Sequence, residues 1–163
     1  MRILGIDPGL VRTGYGLIEA EGPERMKIVE AGVIRTDDSS GISKRLTCIF
    51  TNLQDIIKEH RPGVLVLEKI FSHYKHPATA ILMGHARGVV CLAGGVAGIK
   101  LVNYPSTKIK KSVTGNGQAT KFQVQRSVTA LLRLKRPPEP VDISDALAIA
   151  ISYVFMEMRK RTL

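Results

Sequence analysis

Apolar residues in this chain follow two rhythms, short unbroken runs and longer stretches with a three-to-four-residue period. Residues 2–7 are a compact apolar run closed by Pro8-Gly9, the pattern of a buried strand entering a turn. Residues 13–20 alternate with glycines and 27–36 are rich in Val and Ile, so three strands follow one another through short turns. Over 43–59, Leu46, Ile49, Phe50, Leu53, Ile56 and Ile57 recur at helical spacing and mark one apolar face. The run at 63–68 is again a buried strand. Residues 78–96 read as a long helix of small residues packed closely on a sheet, and 100–104 as a fifth strand. Helices over 106–113 and 120–134 follow, separated by Gly115-Asn116-Gly117, and a last helix opens at Asp142 and runs to about 159. Three antiparallel strands followed by alternating strands and helices predict an α/β fold, a five-stranded mixed sheet flanked by helices on both faces.

The proline-rich piece 135–140 is too short to separate domains and reads as a stiff lead-in to the last helix, so residues 1–163 are taken as a single domain. With 163 residues and 44% apolar content the chain can build a core without disulfide staples. Cys48 and Cys91 lack zinc-site spacing and sit in apolar surroundings, as small core residues of a reducing compartment do. The N-terminal run is too short for a signal peptide. The greasy stretch 88–99 is broken by glycines and is shorter than the ~20 residues a bilayer needs. A soluble, cytoplasmic protein is expected.

Charge changes the picture. Lys and Arg number 24 against 14 Asp and Glu, a net charge of +10. Such a balance favours polyanions, since each phosphate neutralised releases condensed counterions. The acids are then informative by position. Asp7 ends the first strand and Glu68 the fourth, where open α/β sheets gather their chemistry. Asp142 and Asp145 stand one turn apart on one helix face. Taken alone, that pair reads equally well as an N-cap and capping box. The apolar run Ala146-Leu147-Ala148-Ile149-Ala150-Ile151 that follows pulls their turn against the sheet instead.

Four converging carboxylates repel one another unless a cation neutralises them, and hard oxygen ligands select Mg²⁺ or Mn²⁺ over zinc. Two ions about 4 Å apart, with Asp7, Glu68, Asp142 and Asp145 as ligands, would serve phosphodiester cleavage. Among the lysines near the Gly-x-Gly loop, Lys108 and Lys111 read as a solvated face. Lys110 and Lys121 flank the loop as phosphate contacts, and Arg12 is a further candidate.

These residues resemble a known family. Gly5-Ile6-Asp7-Pro8-Gly9 with Thr13-Gly14-Tyr15-Gly16, Glu68-Lys69-Ile70-Phe71, Gly84-His85-Ala86-Arg87-Gly88 and Asp142-Ile143-Ser144-Asp145-Ala146-Leu147-Ala148 resemble, in order, the motifs of the RuvC family of bacterial Holliday junction resolvases. Tyr104-Pro105, Lys110, Gly115, Gly117, Ala119, Lys121 and Gln123 fall where the family's basic segment would place them. The departures are His85, where the family usually carries Gln, and Ser144. The resemblance implies a ribonuclease-H-like fold, a homodimer, Mg²⁺ dependence and symmetric nicking of two like-polarity strands of four-way DNA junctions in recombination and repair. It implies Asp7, Glu68, Asp142 and Asp145 as catalytic carboxylates, Lys121 in catalysis or DNA contact, and Lys110 in DNA contact. Phe71 would stack on an unpaired base, and the RuvA–RuvB branch-migration complex would be a partner. The polar flank Ser72-His73-Tyr74-Lys75-His76-Pro77 favours exposure of Phe71.

Rival readings remain open at this point. The same acids would serve a nuclease acting on RNA or flaps. An actin-like kinase could use the Asp7–Gly9 turn for phosphate, although this chain is too short for its duplicated domain. A silent junction binder would keep the acids for structure only.

Overall fold

The computed structural model describes residues 1–69 and 77–158. Five strands, β1 (Arg2–Asp7), β2 (Arg12–Gly22), β3 (Arg25–Arg35), β4 (Val64–Glu68) and β5 (Lys100–Tyr104), form one sheet in the order β3-β2-β1-β4-β5. The β1–β2 and β2–β3 pairs are antiparallel, and β1–β4 and β4–β5 are parallel. The predicted mixed five-stranded sheet is therefore present, with β1 at its centre.

Strand alternation divides the core in two. Leu4, Ile6, Leu17, Leu65 and Leu67 face α1 (Ile42–His60) and α2 (Pro77–Val96). Ile3, Ile18, Val64 and Val66 face α3 (Ser106–Thr114), α4 (Lys121–Leu131) and α5 (Val141–Tyr153). By the same alternation Asp7 and Glu68 point to the α5 face. The register Ile6↔Leu67 makes them neighbours one step further along.

Glycine decides how close α5 comes. A Cβ on Gly5 would lie 2.3 Å from the carbonyl oxygen of Ala146 and 2.6 Å from the amide nitrogen of Ala150. A Cβ on Gly14, which pairs with Asp7, would lie 2.4 Å from the carbonyl oxygen of Asp142. Helix and sheet are in backbone contact there, and any side chain would push them apart.

Several expectations need correction. Asp142 is not the N-cap of α5: Pro140 holds that position, with no side-chain cap. The capping box belongs to α4, where Thr120 and Gln123 bond reciprocally. Helix α4 stops at Leu131 instead of 134, and Arg133 takes a positive φ of 52° just beyond it. Helix α5 ends at Tyr153 and passes into a π-helical turn, Val154–Met158; position 159 lies outside the described residues.

Helix α2 does not pack closely on the sheet along its length, because only the stripe Ala86, Val90, Ala93 and Gly94 is buried among its described residues. Its apolar span, Ala78–Val96, is also longer than the stretch 88–99 read from the sequence. By length and composition alone it qualifies as a membrane span. Mid-helix Arg87 nevertheless donates to the Glu68 carbonyl oxygen at 2.5 Å and to the Asn103 amide oxygen, which ties α2 to the sheet. Both cysteines are free and half-buried, at the margin of the core.

Candidate active site

The turn after β1 is closed from within. Thr13, fully buried, donates its hydroxyl to the Gly9 carbonyl oxygen at 2.7 Å, and Thr36 bonds the Leu10 carbonyl oxygen at 2.6 Å. These bonds fix where the chain turns away and leave the Asp7 carboxyl at the strand end. Arg87 does the same for β4, and Lys69 extends the β4–β5 pairing by donating to the Tyr104 carbonyl oxygen at 2.8 Å. On the opposite wall, the Pro138 carbonyl oxygen accepts from Gln125 of α4 at 3.0 Å and from buried Ser144 of α5 at 3.3 Å. That oxygen staples the proline lead-in to both helices and sets the first turn of α5 beside Lys121. Ser144 is thus held in the structure, whereas exposed His85 lies on the outer side of α2.

A cleft of about 260 Å³ opens between these elements, lined by Asp7, Glu68, Asp145, Ser106, Lys110 and Lys121, with Ile109, Val124, Ala148 and Ile149 beneath. The structure thus brings together three of the four predicted carboxylates and both predicted lysines. Asp142 stands at the rim, 4.0 Å from the guanidinium of Arg12. Phe71 lies outside the described residues. Ser106, Arg87, Asn103, Thr13 and Gln125 had no role assigned from the sequence. Thr13 and Arg87 fell within the motifs quoted from the sequence, and Thr13 also carried a local signal, a hydroxyl four residues beyond Gly9.

Burial, reinforced by the charges of Asp145 and Glu68, pushes the Asp7 carboxyl up to about 7. Glu68 is also raised, by burial first, while a hydrogen bond with Ser106 pulls it back. The Lys121 ammonium contacts Asp145 at 3.0 Å, and that contact raises its own pKa. With the lysine side chain 72% exposed, the ion pair contributes less than ~1 kcal/mol to stability.

The fit of this site to a metal can be judged from its chemistry. Among the described residues, no three acidic, histidine or cysteine side chains are already gathered into a single cage. The predicted convergence is looser than a finished metal site, for a physical reason. Like-charged carboxylates hold apart without a cation, and Lys121 supplies the compensating charge at Asp145. The donor set is all oxygen, and burial first, then the neighbouring Asp145 and Glu68 carboxylates, make the charged form of Asp7 costly, a cost that a bound cation would offset. These residues suit a hard divalent cation.

Comparisons with known proteins agree with this geometry. A family model described as crossover junction endodeoxyribonuclease RuvC matches residues 3–153. A protein of that description from Rhodopirellula baltica is 49% identical over 91% of this chain and 83% of its own length. Another, from Halothermothrix orenii, is 43% identical over 94% of this chain and 92% of its own. The solved structure of Thermus thermophilus RuvC in complex with a Holliday junction substrate superposes with a TM-score of 0.92 at 29% identity, covering 98% of this chain and 96% of that one. A yeast mitochondrial Holliday junction resolvase, at 11% identity and a TM-score of 0.73, shares the fold alone. The sheet order and the motifs are those of a ribonuclease-H-like nuclease, and this chain belongs to the RuvC family of crossover junction endodeoxyribonucleases.

Proposed function

We propose that this protein is a Mg²⁺-dependent Holliday junction resolvase that nicks two like-polarity strands of a four-way DNA junction symmetrically. The observation that carries the reading is the cleft itself: an acidic floor of Asp7, Glu68 and Asp145 beneath two lysines, in a protein of net charge +10. Acids at the bottom of a basic surface suit a cation held between protein and phosphate. Asp7, Glu68, Asp145 and, from the rim, Asp142 would hold the ion or ions. Mg²⁺ there would neutralise the scissile phosphate, acidify the attacking water and stabilise the leaving oxygen. The chain's own groups do the rest. Lys121 exchanges Asp145 for a phosphate oxygen, Lys110 holds the strand against the opposite wall, and Ser106 orients Glu68. Arg12 draws the backbone towards Asp142, and Phe71 stacks on an unpaired base at the junction centre.

The reading includes a homodimer acting as one nuclease unit per chain over residues 1–163. Helix α2 supports it by leaving Ile81, Leu82, Leu92 and Val96 exposed along one side, with Gly84 and Gly88 open between them. An exposed apolar stripe of this kind suits a two-fold contact with its own copy, and two-fold sites match the symmetry of a junction. Cooperation with the RuvA–RuvB branch-migration complex in the cytoplasm accords with family membership.

The test is a cleavage assay on labelled four-way junction, linear duplex and flap DNA, with and without Mg²⁺. Paired symmetric nicks in the junction alone, dependent on metal and abolished by Asp7→Asn with junction binding retained, are expected. Equal cutting of unbranched DNA would overturn the junction assignment, and a fully active Asp7→Asn protein would overturn the metal site.

A further inference from the structure

Directly after Lys121, the chain presents a feature that the cleft does not use. Phe122 is 66% exposed, and the guanidinium carbon of Arg126 lies 5.9 Å from its ring centroid. Single exposed apolar residues are ordinary on protein surfaces, so exposure alone decides nothing. Position decides more. The capping box of Thr120 and Gln123 fixes the start of α4, and Val124 and Val128 turn inward. Lys121 reaches into the carboxylate cleft, and Gln125 bonds the lead-in to α5. Phe122 and Arg126 are left on the outward side, one turn apart, with a rise of about 6 Å between them. Nothing in the packing of α4 calls for an aromatic there.

Arg126 also lines a polar hollow of about 360 Å³ shared with Thr114, Asn116, Gln123 and Ser127. Following Lys121 along α4 are the exposed Phe122 ring and, one turn on, Arg126, which borders a hollow whose amide and hydroxyl groups sit beside Ala119 and Ala130. The face is built as a track: a cation at the acidic site, an aromatic ring, a second cation, then neutral polar groups. Arginine and aromatic residues also suit protein partners, but a protein partner would not require cations alternating with a ring beside a nuclease cleft. A nucleotide strand would, because it alternates flat rings with phosphates.

We propose that Phe122 and Arg126 form a nucleotide-binding subsite for the cleaved strand, adjoining the scissile phosphate. The Phe122 ring packs on the base or sugar of a flanking nucleotide, and Arg126 neutralises its phosphate over the mouth of the hollow. The inference rests on the junction-cleaving reading above and extends it by two residues which that reading leaves idle. A ring braced by a guanidinium is pre-oriented, which reduces the ordering cost of gripping a strand.

Junction binding by the full-length protein, measured in EDTA so that no cutting intervenes, tests it. Phe122→Ala should weaken binding roughly five- to a hundredfold, and Phe122→Tyr should restore it. Arg126→Ala should reduce the slope of log K against log salt by about 0.7–0.9, the contribution of one phosphate. Phe122→Ala should leave that slope as it is. Both positions are exposed, so thermal midpoints should match wild type. Wild-type binding with both variants within twofold and an unchanged salt slope would overturn the subsite alone. A wild-type protein that neither binds nor nicks junctions would overturn the underlying reading and this subsite with it. A Phe122→Ala protein whose oligomeric state changes, with DNA affinity kept, would assign the ring to a protein contact instead.

Discussion

Helices α2 and α5 look alike in the sequence and meet opposite fates in the fold. Both are long, apolar and nearly free of charge after their first turn. In α5 every residue from Ala146 to Tyr153 is buried, enclosed by the sheet on one side and by α3 and α4 on the other. In α2 Ile81 is 61% exposed and Val96 63%, and α1 and the sheet cover only one stripe. Apolar content says that a helix must be covered. Which surface covers it depends on how near a neighbour can come, and for α5 the glycines of β1 and β2 answer that question.

The contact of α5 with β1 at Gly5 is the tightest in the fold's helix–sheet packing, and a side chain there has nowhere to go. Gly5→Ala should destabilise the protein by about 3 kcal/mol or more, because backbone atoms on both sides of the new methyl cannot yield. Gly84→Ala, with open space around it on α2, should change stability by less than about 1 kcal/mol and in the favourable direction. Chemical denaturation of the two variants measures the contrast, and equal effects would mean that α5 is not clamped as described.

A second substitution separates a self-covered helix from one awaiting a partner. Leu92→Glu on the exposed side of α2 should weaken self-association at least tenfold while leaving the fold intact, as read by sedimentation and circular dichroism. A dimer that survives the change would move the interface elsewhere.

A pH-dependent effect belongs to Asp7, at the end of β1 beneath α5. Its carboxyl is raised from 3.8 to about 7, so the folded chain holds the proton more tightly than the unfolded chain. The stabilisation is full below about pH 4 and is lost as pH rises through about 7. Metal-free protein should therefore become less stable across that window. Asp7→Asn should flatten the profile and raise metal-free stability at pH 7.5 by about 1–3 kcal/mol. Mg²⁺ binding near pH 7 should release a proton, detectable by calorimetry in buffers of different ionisation enthalpy. A pH-independent midpoint, identical in both proteins, would mean that Asp7 does not titrate as described.

Much of the site was legible in advance because strands alternate. Asp7 at the end of one buried run and Glu68 at the end of another can share a sheet face only if the strands adjoin, and the parallel β1–β4 pairing makes them do so. Asp145 followed from the helical period. Asp142 was legible as a neighbour but not as a residue at the rim, since its distance from the cleft depends on where α5 crosses β2. Ser106 and Gln125 were silent, and Arg87 was legible as a motif residue but not as the tie from α2 to Glu68 and Asn103, because each acts across a long sequence separation through an oxygen that no local pattern marks.

Local pattern in the chain set the order of the strands and α-helices, the strand ends that carry the acids, and the net positive charge. These follow from local periodicity and from charge, which are properties of the chain at each position. Tertiary structure alone decided that α5 lies on bare backbone at Gly5 and Gly14, that one carbonyl oxygen ties α4 to α5, and that α2 keeps an uncovered face. Those outcomes depend on distances between segments far apart in the chain. Such distances are set by close packing of the whole molecule.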